Sequence, residues 1–154
     1  MLYLLAPVPG VHLKSIAETP NFDGHAVFGS DLHDFFSHLE EELGEGLPVL
    51  IWASRAGGKA HWYGPAASWR ARYERWTVAD GRGQFTGDPR LRPPSTITDT
   101  TFWLYWEVSD LAELRAEDRV LFSKLQLRKS KHPPKAPLRR AHLVEGPPIP
   151  NFAT

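Results

Sequence analysis

Thr100-Thr101-Phe102-Trp103-Leu104-Tyr105-Trp106-Glu107-Val108 is the stretch of this 154-residue chain that decides its fold. Strict alternation puts Phe102, Leu104, Trp106 and Val108 on one face and Trp103, Tyr105 and Glu107 on the other. Aromatic and β-branched residues at period two suit a pleated ribbon better than a helix. Both faces carry rings, so the reading is a central strand with material packed on each side. It serves as the spine of one sheet.

Two neighbours for that spine lie upstream. Leu47-Pro48-Val49-Leu50-Ile51-Trp52-Ala53 reads as a short buried strand. Residues 69–78 read as a longer one, with Trp69, Ala71 and Tyr73 on one face and Arg70, Arg72 and Glu74 on the other. Its pattern slips at Arg75-Trp76, as at a bulge or where a strand leaves a sheet. Between them Gly57-Gly58 supplies a turn without steric cost. Residues 30–43 give the three-and-four spacing of an amphipathic helix through Leu32, Phe35, Phe36, Leu39 and Leu43. Ser30 is the expected N-cap, with Asp31 and Asp34 in the first turn, and Gly44 and Gly46 stop the helix.

The remaining pieces are weaker. Residues 1–8 read as a first strand, because they lack a basic leader and are too short to cross a membrane. Residues 9–29 read as an irregular connection with one helical turn around 13–17. Residues 110–114 read as a short turn or helical piece, and residues 142–145 as an added edge strand. The result is an α+β chain of one domain, residues 1–154, with a basic, proline-containing C-terminal segment from residue 128. Residues 80–99, rich in Gly, Pro, Arg and Thr, form a loop of about twenty residues, a length that is uncommon in a compact domain and often functional.

Composition excludes some chemistry. There is no cysteine, so disulfides and thiolate metal sites are ruled out, and a cytoplasmic setting is the simplest expectation. His25, Asp31, His33, Asp34 and His38 crowd one region, but only Asp34 and His38 share a helical i,i+4 spacing. A solvated helix face explains them better than zinc, and neither metal nor cofactor is expected. Ser54, Ser68, Ser95 and Ser123 lie in no nucleophile motif, so no catalytic residue is assigned.

Charge and aromatic content point elsewhere. Residues 1–48 hold one base and eight acids, leaving 17 bases against 10 acids, a formal +7, in the remainder. Such asymmetry points to a polyanionic partner. Six Trp are more than a core of this size absorbs easily, although Trp69 and Trp106 read most simply as core. Aromatic walls beside cations suit a nucleobase and its phosphate. Arg55, Lys59, Arg70 and Arg72 lie near Trp52, Trp62 and Trp69 in sequence, and Arg128, Lys129 and Lys131 open the basic segment.

The order of these pieces resembles a known group. Val49-Leu50-Ile51-Trp52-Ala53-Ser54, Gly57-Gly58, Tyr63-Gly64, the 69–78 strand, the Trp-rich strand and Asp110-Leu111-Ala112-Glu113-Leu114 follow one another as in the PUA-like superfamily, particularly its EVE and YTH branches. The resemblance spans roughly residues 47–127 and implies a small, curved, mixed β-barrel flanked by one or two main helices. It also implies a module that binds DNA or RNA by taking a modified or flipped base into an aromatic cage. Carried over by position, Trp52 and Ser54 face the pocket, with Trp62, Trp69 and Trp103 as further walls. Arg55, Lys59, Arg70, Arg72, Arg128, Lys129 and Lys131 would hold the backbone. Two other readings stay open: an enzyme or small-molecule binder using the same pocket, and a protein-interaction module docking through its basic tail.

Overall fold

The computed structural model of the chain describes residues 1–54, 64–96 and 101–149. Its frame is β1 (Leu2–Pro9), α1 (Gly10–Ala17), β2 (Ala26–Ser30), α2 (His33–Leu43), β3 (Pro48–Ser54), β4 (Ala66–Ala67), β5 (Trp69–Val78), β6 (Leu104–Glu113), β7 (Val120–Leu121), β8 (Gln126–Leu127) and β9 (His142–Glu145). One seven-stranded sheet has the order β2-β6-β5-β3-β1-β9-β8, and β4 and β7 form a separate pair. Only β1 and β3 run parallel among the paired strands described. The three strands expected at the centre, β3, β5 and β6, are consecutive in this sheet. The architecture is therefore α+β, with a mixed sheet and, among the described residues, two α-helices. The sheet is not closed into a barrel, because β2 and β8 stand at its two ends.

Alternation along the strands builds two cores. Leu4, Ala6 and Val8 of β1, Val49, Ile51 and Ala53 of β3, Trp69, Ala71 and Tyr73 of β5, and Leu104, Trp106 and Val108 of β6 share the first. Leu13 and Ile16 of α1 and Phe36 and Leu39 of α2 cover that face. The opposite parity, Tyr3 and Leu5 with Leu50 and Trp52, packs against Val120, Phe122, Leu125, Leu138 and Val144. Burial on both faces explains why β1 and β3 read as nearly continuous apolar runs.

Two irregularities set the strand geometry. Between Tyr73 and Arg75 the β5–β6 register shifts, the bulge that the slipped pattern at Arg75-Trp76 announces. Between Arg70 and Arg72 two steps on β5 oppose three on β6, and there Asp110 takes φ 52°. Aspartate tolerates that left-handed conformation better than a bulky residue does. The bulge carries β6 on to Glu113, so residues 110–114 are chiefly strand rather than a turn or helical piece.

Other local expectations need correction. The 9–29 region contains a helix over Gly10–Ala17 and the edge strand β2. Ser30 ends β2 instead of capping α2, and its Oγ accepts from Leu32 N at 3.1 Å. Helix α2 starts at His33 with no side-chain cap and ends at Gly44, φ 67°. Strand β9 lies between β1 and β8, inside the sheet rather than at its edge. Among the described residues no helix is long and apolar enough to cross a membrane.

Candidate nucleic-acid interface

The sheet separates the tryptophans that sequence grouped together. Trp52 is 4% exposed in the second core; its ring centroid lies 6.3 Å from that of Phe122 and its Nε1 donates to Gly64 O at 2.9 Å. Trp69 is buried in the first core. Ile51, not Trp52, stands opposite Trp69 in the β3–β5 register, so the two indoles leave opposite faces of the sheet. They cannot wall one cage. Ser54 ends β3 opposite Pro9, partly exposed. Arg55, Lys59 and Trp62 lie outside the described residues.

The expected backbone cations are mostly engaged. Arg70 Nη1 donates to Asp110 O at 3.3 Å, and Arg72 Nε lies 3.5 Å from Asp110 Oδ2. Along the same strand pair Ser109 Oγ donates to Glu74 Oε1, and Arg75 pairs with Glu107 at 2.7 Å. Arg128 reaches Glu42 at 3.3 Å, and Lys131 reaches Glu145 at 3.6 Å. Lys129 is exposed and has no ion pair among the described residues. The basic segment is anchored: Pro134, Leu138 and Ala141 are buried while Lys129, Lys131, Lys135, Arg139 and Arg140 stay exposed. It forms a fixed cationic surface beside β8 and β9.

Trp103 is different from the other predicted walls. It is 72% exposed, just before β6 begins, and lines a cleft of about 570 Å³ with Asp31, Val78, Arg82 and Phe102. Its backbone is held on both sides: Trp103 N donates to Asp31 Oδ1 at 3.1 Å, and Ala79 N donates to Trp103 O at 3.0 Å. An aromatic face is thus presented to solvent from a fixed main chain. Val78, also exposed, adds apolar surface at the same cleft.

The long loop builds the floor beside Trp103. Asp80 Oδ1 accepts from Arg82 N at 2.8 Å and Gln84 N at 2.9 Å, and these backbone bonds, Gln84's first, hold its carboxyl below the usual carboxylate range. Tyr105 Oη donates to Gly83 O at 2.8 Å, and Phe102 N donates to the same carbonyl at 3.0 Å. Arg92, 8% exposed, lies over Tyr105 with Cζ 5.2 Å from the ring centroid. Its Nη1 donates to Gln84 Oε1 at 3.0 Å and its Nη2 to Thr96 O at 2.9 Å. Burial raises the Tyr105 phenol, which therefore stays a neutral donor.

At the far end of this loop lies a polar cluster that sequence analysis missed. His12 Nδ1 is 2.7 Å from Ser95 Oγ, and Ser15 Oγ is 2.9 Å from the same hydroxyl. Burial first, and the Arg92 cation second, hold the His12 imidazole below its ordinary range. A neutral ring bonded to a hydroxyl offers hydrogen bonds to a planar ligand edge. Among the described residues no carboxylate is ion-paired with it to orient it as a general base. His12 and Ser95 are separated by 83 positions, so no spacing motif could have exposed the pair. Helix α1 packs on both β3 and the 3-10 turn Pro94–Thr96, which brings the cluster to the head of the parallel β1/β3 pair.

A second cleft, about 850 Å³, runs between α2 and the β8–β9 region. No family model and no curated protein matches this sequence.

Proposed function

We propose that the chain is a nucleic-acid-binding module that takes a modified or flipped base of DNA or RNA, with Trp103 as its stacking surface. The observation that carries this reading is the exposed Trp103 indole on a hydrogen-bonded backbone beside Arg82. Exposed apolar surface of this kind has something to gain from a flat partner, and every base has a π-face. Cations at 128–140 supply phosphate attraction that is independent of sequence. On this reading the open mixed sheet is a PUA-like, EVE/YTH-type scaffold whose base pocket draws its aromatic wall from Trp103. A cytoplasmic setting goes with it.

The test is fluorescence anisotropy with labelled single-stranded oligonucleotides, unmodified and carrying base modifications, across a salt series. Affinity should fall steeply with salt. Trp103→Ala should lose roughly 1–3 kcal/mol of binding, about 5- to 150-fold, because one stacking partner is removed. Its urea midpoint should stay close to the parent's, since an exposed ring contributes little to folding. Salt-independent binding, or undiminished affinity in Trp103→Ala, would overturn the reading.

A further inference from the structure

The cleft of about 850 Å³ between α2 and the β8–β9 region is not used by the Trp103 site. Its volume lies in the range of small-molecule pockets, roughly 300–1,000 Å³. The two walls differ in sign. Helix α2 contributes Asp34, His38 and Glu42, one face at four-residue steps, and the strand side contributes Arg128, Lys129 and Arg140. Phe35, Leu39 and Leu143 line the apolar part between them.

Opposite signs on opposite walls select against a plain polyanion or a plain cation. The complementary ligand has an anionic group at one end, N–H donors at the other, and a flat or apolar body between. Glu42 and Arg128 already satisfy each other at 3.3 Å, which leaves Lys129 and Arg140 for the anion; on the other wall Asp34, whose Oδ1 lies 3.5 Å from His33 Nδ1, offers its second carboxylate oxygen to the donors together with His38. His38 bonds Asp34 O through Nδ1 at 2.8 Å, so Nε2 is the ring atom left for a ligand. His142, on the strand wall, is held below its ordinary range by burial and then by Arg140, and a neutral ring there adds no repulsion toward Lys129.

We infer that this cleft binds a nucleoside monophosphate, with phosphate on Lys129 and Arg140 and the amino edge of the base toward Asp34 and His38. The inference rests on the nucleic-acid reading and deepens it by adding a second nucleotide subsite. Both clefts reach the start of α2, since Asp31 lines one and Asp34 the other. A strand whose base occupies the Trp103 cleft has a neighbouring place to lay a second nucleotide.

The experiment is a heteronuclear NMR titration of the full chain with 5′-AMP, adenosine, inorganic phosphate and glycine in parallel. 5′-AMP should shift amides in 34–42 and 127–143, and these shifts should saturate independently of any at 78–83 and 101–103. Adenosine and phosphate should each bind at least about tenfold more weakly, and the Lys129→Ala, Arg140→Ala double variant should lose at least about tenfold for 5′-AMP. Both side chains are exposed, so that variant should keep its fold, which its unshifted spectrum elsewhere verifies. Equal binding of phosphate or glycine, shifts confined to the Trp103 cleft, or unchanged affinity in the double variant would overturn the inference. An oligonucleotide that binds through Trp103 while 5′-AMP binds nowhere overturns the second subsite alone. A 5′-AMP site in this cleft without any oligonucleotide binding overturns the nucleic-acid reading instead.

Discussion

Trp52 stands within β3 and Trp103 just ahead of β6, two strands away in the same sheet, yet one is 4% and the other 72% exposed. Trp52 projects from β3 under the chain that returns through Phe122 and Leu125, and its indole N–H is answered by Gly64 O. Trp103 sits one residue before β6, where no second layer covers it among the described residues, and its main chain is tied down. The difference is one of position relative to the covering segment, since both residues stand in apolar, alternating stretches. It teaches that aromatic content marks the sheet, while the path of the C-terminal third decides which ring faces solvent.

The largest expected effect breaks that comparison at its buried end. Trp52→Ala should cost roughly 3–5 kcal/mol of folding stability, read from urea unfolding, as for truncation of a large core ring. The fraction that remains folded should bind oligonucleotide as the parent does. A stable Trp52→Ala protein with lost binding would return Trp52 to the site and undo the contrast.

Gly29 gives the next test. The Phe102 ring occupies the space where a Cβ at this position would lie, in the strand paired opposite Tyr105. Gly29→Ala should therefore displace Phe102 and cost about 1–3 kcal/mol by overpacking. Because Phe102 lines the Trp103 cleft, the same variant should also weaken binding. Unaltered unfolding and binding would show that the ring gives way without consequence for the site.

Much of the fold was legible because β5 and β6 are long with alternating stretches, and β3 is a short continuous apolar run. β2 was not, because five residues ending in Gly29-Ser30 offer little periodicity and much turn chemistry. The extension of β6 to Glu113 was hidden by Asp110, whose positive φ makes a bulge where sequence suggests a stop. For the site, Trp103 was legible as an aromatic residue but not as the exposed one. The Trp52–Trp69 grouping failed on parity: adjacent strands carry them, and the pleat turns them apart. Arg92 was legible only as loop charge, although Tyr105 and two acceptors hold it.

A smaller effect concerns the cationic surface. Replacing Arg128, Lys129 and Lys131 with Ala should weaken all oligonucleotides about equally and flatten the salt slope, since phosphate contacts do not read sequence. Loss of the Glu42 and Glu145 ion pairs should change stability little, as both are exposed. An unchanged slope would remove this surface from the interface.

The smallest expected effect is in acid. His12 and His142 have folded values below the ordinary 6.5, so the unfolded chain binds more protons between the two values. Their contribution to stability is complete above about 6.5 and falls as pH drops toward the lowered folded values. His12→Gln should make urea stability less dependent on pH across that window. The same pH dependence in parent and variant would show that His12 is not held neutral by its surroundings.

The contrast between the two tryptophans is tested most directly by following the six indole N–H signals during an oligonucleotide titration, with Trp52→Phe and Trp103→Phe assigning two of them. The account predicts that the Trp103 signal and the amides of 78–83 move together, while the Trp52 signal stays fixed on its bond to Gly64 O. Movement of Trp52 with a silent Trp103 would contradict it.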